Sequence, residues 1–138
     1  MRPEAIFGPV SVLALWTGFM VFLVGLRRVL AVRAGRVRRG AFRLGESPEV
    51  PEDIAVFNRN LMNLLEMPLL FYVACLAFYV THRVVPGVVM LAWIYAGLRI
   101  VHSLVHITVN NVMARLLSFA ASNVVLLVLW IRFAARVL

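Results

Sequence analysis

Three sets of polar residues at helical spacing interrupt an otherwise apolar chain. Arg59, Asn63 and Glu66 are spaced i, i+4, i+7, which puts them on one helical face. Arg99, His102 and His106 are spaced i, i+3, i+7, again a single face. Arg115 follows, with Ser118 and Ser122 beyond it. Three arginines against one carboxylate leave an excess of positive charge. Such a set suits an anionic ligand, because guanidinium forks hold carboxylates in bidentate fashion. A thiol beside an arginine ionises more readily and becomes a better nucleophile. Glu66 is placed to accept from a ligand amine or to orient Arg59.

Each residue also has a plainer structural reading. Arg59 can snorkel to a membrane interface, and Asn63 and Glu66 can join helices by hydrogen bonds. Arg115 can be an ordinary arginine near a helix start. His102 and His106 match a metal-ligand spacing, but Glu66 is the only further ligand at hand, so no metal site is expected. A proton or anion path through Glu66, His102 and His106 is a weaker third reading. There is no Ser-His-Asp arrangement and no glycine-rich phosphate loop.

The elements that must position these groups are membrane helices. Of 138 residues, 63% are hydrophobic and 14% charged. A soluble domain is nearer half apolar and a quarter charged, so composition alone points to a membrane. Four apolar stretches can each span a hydrocarbon core of about 30 Å. They run over Ile6–Leu30, Ile54–Val80, Pro86–Ile107 and Val112–Ala135. No stretch alternates with period two, which argues against a membrane barrel. The first apolar run is too long for a signal-peptide core and reads as a retained helix. Residues 1–138 read as one four-helix domain.

Only the connection over Ala31–Asp53 is long. Glu46, Ser47, Pro48 and Pro51 lie in it, and Glu52 and Asp53 suit the positive end of the second helix. The turns near Thr81–Val85 and Val109–Asn111 are short, so neighbouring helices run antiparallel in an up-down bundle. That topology brings Arg59, Asn63, Glu66, Arg99, His102, His106 and Arg115 to one leaflet.

All 14 basic residues are arginine, and seven lie from Arg27 to Arg43. Beside a hydrophobic span, that cluster reads as a cytoplasmic loop near anionic lipid rather than a nucleic-acid surface. Both termini are then outside. The single cysteine, Cys75, sits mid-run and reads as a packing residue. Pro68 is expected to bend the second helix and free backbone groups in the turn before it. Ala114, Ser118 and Ser122 form a small-residue stripe that permits close helix approach. Trp16, Trp93 and Trp130 read as packing or belt residues. Asn110 and Asn111 cap the last connection.

With these residues in place, the chain resembles the MAPEG family, the membrane-associated proteins of eicosanoid and glutathione metabolism. The resemblance covers nearly the whole chain. It is carried by Arg59, Asn63, Glu66 and Pro68 in the second helix, by Arg99 and His102 in the third, and by Arg115 in the first turns of the fourth. The run from Phe57 to Tyr72 is most like the short bacterial members, which implies a bacterial inner membrane. The resemblance implies a homotrimer with glutathione, as co-substrate, between neighbouring subunits and open to the cytoplasm. It implies that Arg59, Asn63 and Glu66 hold glutathione, with Arg99, His102, His106 and, more loosely, Arg27 or Arg28 contributing. It implies that Arg115 stabilises the thiolate and that a lipophilic substrate arrives from the bilayer. His106 and Phe119 stand where several animal members place tyrosines. Phe119 has no hydroxyl to offer a thiol, and the family includes a non-catalytic lipid-binding protein. The expected activity is that of a glutathione transferase or peroxidase, with a non-catalytic binding or scaffolding trimer as the alternative.

Overall fold

A computed structural model describes residues 2–43, 45 and 47–137; Leu44 and Glu46 of the first loop and the two terminal residues lie outside the described residues. Four helices account for most of the chain: α1 (Phe7–Arg33), α2 (Glu52–Val80), α3 (Pro86–Ile107) and α4 (Val112–Val137). Short 3-10 turns at Pro3–Ile6 and Arg39–Phe42 precede α1 and sit in the first loop. There is no strand among the described residues. Each of the four helices is long and apolar enough to cross a bilayer.

The ends of the helices follow from local chemistry, and three lie beyond the apolar stretches. Arg33 continues α1 because a positive side chain suits a helix C-terminus. The helix stops at Gly35, whose φ of +68° turns the chain. Arg36 N–H then closes on the Ala31 carbonyl at 3.0 Å and Gly35 N–H on the Val32 carbonyl at 3.1 Å, the paired bonds of a Schellman cap. α2 starts at Glu52 rather than Ile54, after the extended Pro51, with Glu52 and Asp53 at its positive end. Arg36 reaches across the loop to grip Asp53 with two bonds, 3.0 and 2.9 Å. His82, at φ +55°, ends α2 as Gly35 ends α1. Asn110, at φ +50°, makes the tight turn before α4. Asn111 caps α4, its side-chain oxygen accepting from Ala114 N–H at 2.9 Å. Charged and polar residues thus extend helices past the apolar segments that hydropathy detects.

Buried residues recur every seven positions: Ile6, Leu13 and Met20 from α1 into its 3-10 lead, Phe57, Leu64, Phe71 and Phe78 on α2, and Val88 and Tyr95 on α3. That period keeps one seam of each helix against its neighbours. Phe71 and Tyr95 stack at 4.5 Å where α2 meets α3. α4 packs chiefly on α3 through the face bearing Ser118 and Ser122. Cys75 is buried in the core. The outer surface is apolar, with Leu15, Phe22, Leu69, Trp93, Leu117 and Leu127 all exposed. Such a surface belongs in lipid or against another membrane chain.

In lipid, packing and interhelical hydrogen bonds must hold helices together, because apolar burial against lipid tails gains little. One such knot joins three helices. Trp16 Nε1 on α1 and Asn60 Nδ2 on α2 both donate to Ser103 Oγ on α3, at 2.9 and 2.7 Å. Trp16 is therefore more than a packing residue, since its ring nitrogen anchors α1 to α3.

Candidate functional site

The fold brings the first half of α2, the second half of α3 and the start of α4 to the end of the bundle that carries the first loop. α3 supplies the most deeply placed polar groups. Arg99, His102 and His106 are all buried, and Arg99 has no exposed surface at all. Their spacing of three and four puts them on the seam that α3 turns toward α2 and α4.

Arg99 meets α2 through one nitrogen. Its Nη2 donates to the backbone carbonyl of Asn63. α2 runs unbroken through Pro68, which has no N–H to return to the turn before it. The carbonyl so released is that of Leu64; Arg99 takes the carbonyl of Asn63, one residue before it. Nε and Nη1 of Arg99 are buried with no partner. The Phe119 ring covers the guanidinium at 5.5 Å. No carboxylate forms a salt bridge with Arg99 among the described residues; the Arg36–Asp53 ion pair lies on the surface. A buried cation bonded only to a carbonyl and covered by a ring, with Glu66 acting on it from a distance, leaves strong donor capacity unused.

His102 ties α3 to α4. Its Nδ1 is 3.0 Å from the Arg115 carbonyl and 3.2 Å from Ser118 Oγ. His106 stacks one turn further on, ring centres 5.9 Å apart, and its Nδ1 is buried without a partner. Arg115 projects from the second turn of α4. Its Nη1 donates to Asn110 Oδ1 at 2.8 Å, while its Nε has no partner. Asn110 thus holds one corner of the guanidinium from the turn just before the helix.

A pocket of about 300 Å³ opens among these groups, lined by Asn63, His102, Val112, Arg115, Leu116 and Phe119. One wall can hydrogen-bond and carries charge; the other is apolar. It can hold an anionic head against Arg115 and a lipophilic group against Leu116 and Phe119. His106 lines a second pocket of about 330 Å³ on the other side, with Arg27, Glu52, Asp53 and Phe57.

Asn63, Arg99, His102 and Arg115 therefore converge. Arg59 and Glu66 lie at the same end but point outward and are exposed, and neither forms a hydrogen bond or ion pair among the described residues. Arg28 is apart from this pocket: its Nη2 donates to Asn58 Oδ1 at 3.0 Å, and its guanidinium lies over Phe42 at 5.0 Å. The polar residue that α2 buries fully is Asn60, next to Arg59. Two participants carried no weight in the sequence reading, Ser103 as a hydrogen-bond centre and Asn110 as a partner of Arg115. The seven-residue period through Phe57, Leu64, Phe71 and Phe78 was the available signal for the first, because it places Asn60 on the inner seam. No group of three or more potential metal ligands occurs among the described residues.

A family model described as the MAPEG family matches residues 6–135 of this chain. No curated protein and no solved structure matches it.

Proposed function

Because this chain belongs to the MAPEG family and is a multi-pass membrane protein, we propose that it binds glutathione and transfers it to, or uses it to reduce, lipophilic electrophiles. The observation that carries this reading is Arg99, a fully buried guanidinium with Nε and Nη1 unpartnered and no carboxylate paired with it. A cation in that position calls for an anion, and glutathione carries two carboxylates. Asn63, Arg99 and His102 hold the tripeptide from within one chain, and His106 contributes from the second pocket. Arg115 meets the sulfur and stabilises its thiolate by charge.

Arg59 and Glu66 contribute from the outward flank of α2, and Arg28 from its own pocket across the first loop. These three cannot all reach one ligand inside a single chain. A homotrimer with glutathione between subunits brings such flanks together, and it also covers charge that lipid tolerates poorly. The lipophilic substrate then enters from the bilayer along the apolar wall of Leu116 and Phe119. The arginine-rich first loop faces the cytoplasm, both termini lie outside, and the membrane is a bacterial inner membrane. Purified protein in detergent should bind glutathione in calorimetry, and Arg59→Ala should weaken that binding. It should conjugate glutathione to an aryl halide, with Arg115→Ala slowing the reaction about a hundredfold, as loss of a charge-stabilising group does. Absence of glutathione binding would sink the reading.

A second reading is a non-catalytic binding or scaffolding trimer. It is favoured by Phe119, which offers the pocket a ring and no hydroxyl. Under that reading glutathione or lipid binds, no conjugation is measured, and Arg115→Ala leaves activity at its zero baseline.

A further inference from the structure

His102 is held through one nitrogen. Nδ1 faces the Arg115 carbonyl and the Ser118 hydroxyl. A carbonyl only accepts. The Ser118 hydroxyl donates to the Ala114 carbonyl at 2.8 Å, so it too meets Nδ1 as an acceptor. Nδ1 therefore carries the hydrogen, and the lone pair of the neutral ring sits on Nε2. Nε2 is buried and has no partner. A second hydrogen there would make an unpaired buried cation near two guanidiniums, Arg99 and Arg115. His102 thus lines the pocket that holds Arg115 and carries a bare acceptor buried behind that wall. The Phe119 ring, tilted against it at 5.7 Å, makes that side apolar. The charged and titratable groups around the ring are Arg99 and His106 from α3, Arg115 from α4, and Arg59 and Glu66 on the flank of α2. The α1 cations Arg27 and Arg28 line other pockets.

We propose that His102 Nε2 takes the thiol proton of bound glutathione, a catalytic role that rests on the glutathione reading above. The S–H bond breaks, its electron pair stays on sulfur, and the proton joins the Nε2 lone pair. Nδ1–H stays on the Arg115 carbonyl, so the ring need not turn. The imidazolium that forms is paired with the thiolate that formed it, and Arg115 carries the rest of the sulfur's charge. When sulfur has bonded to the aryl carbon and the halide has left with the electron pair of its bond, the proton leaves His102 to water at the open mouth of the pocket. Nδ1 is bonded to the backbone of Arg115 and Asn110 holds that residue's guanidinium, so two contacts position the base and the cation.

The discriminating variant is His102→Asn in the detergent-purified full chain. Its amide N–H reaches where Nδ1 does and keeps the bond to the Arg115 carbonyl, while nothing replaces Nε2. Glutathione affinity is read by calorimetry, bound thiolate by its ultraviolet absorbance across pH, and conjugation with an aryl halide. The expected result is saturable glutathione binding that persists, weakened by the loss of one contact, and a conjugation rate down about a hundredfold at neutral pH. Thiolate signal and rate both recover as pH passes the ordinary thiol range of about 8.5. A merely structural role would show no such recovery. His102→Gln places an acceptor near Nε2 without a base; it gives the same loss and recovery, and it serves if the Asn variant does not fold. Wild-type thiolate signal at neutral pH in a folded variant overturns the role of His102 while leaving glutathione binding intact. A wild-type protein that binds no glutathione overturns the glutathione reading, and this assignment with it.

Discussion

Two arginines at the same end of the molecule live under opposite conditions. Arg36 is half exposed in the first loop and grips Asp53 with two short bonds. Arg99 is fully buried in α3 and has a backbone carbonyl and an aromatic ring for partners. Pairing is complete where water would have made it nearly worthless and missing where it would have mattered most. Folding alone does not account for that distribution. A stability-driven interior would hold an apolar residue at position 99, or a carboxylate beside it. The comparison ties the loop pair to local structure, and the proposed ligand would explain the buried arginine.

Substitutions can break or sharpen this contrast. The largest effect is expected for Arg99→Met, which keeps most of the volume and removes the buried charge. Without ligand its stability should rise by about 2 kcal/mol, because an unpaired buried cation is lost. Thermal unfolding in detergent reads this, and a marked loss of stability would mean that the charge is structural. Ser103→Ala removes the acceptor shared by Trp16 and Asn60 and should lower stability by about 1.5 kcal/mol, near the upper end for membrane interhelical hydrogen bonds. Asn110→Gly keeps the positive φ of the turn and drops the acceptor of Arg115. It should leave the melting temperature unchanged and slow conjugation about tenfold, the low end for one hydrogen bond to a charged group. Smallest is Asp53→Asn. Breaking the exposed pair should shift stability by less than about 0.5 kcal/mol, and the shift should vanish in high salt.

The elements were largely legible because hydropathy reports membrane depth directly. The four apolar stretches, the short turns and the placement of Arg99, His102 and Arg115 at one end follow from segment order alone. Helix rotation was harder. In a membrane helix both lipid-facing and inner faces are apolar, so the contrast that marks the buried side of a soluble helix is weak. Arg59, Asn63 and Glu66 share a face in both sequence and structure, yet Asn60 is the side chain that turns fully inward. Its partner Ser103 has the composition of an ordinary small helix residue, and only packing shows that two donors converge on it. Asn110 was visible as a turn residue. Its grip on Arg115 depends on a positive φ that sequence reveals only as a tendency of asparagine. The outward aim of Arg59 and Glu66 depends on the same helix rotation.

The central claim is that Arg99 is buried for an anion that the protein binds. Calorimetric titration of glutathione into the purified protein, wild type against Arg99→Met, tests it most directly. The account predicts saturable binding to wild type and a loss of at least about a hundredfold in the variant, which remains folded. Equal binding by the two proteins, or no binding by wild type, would contradict it.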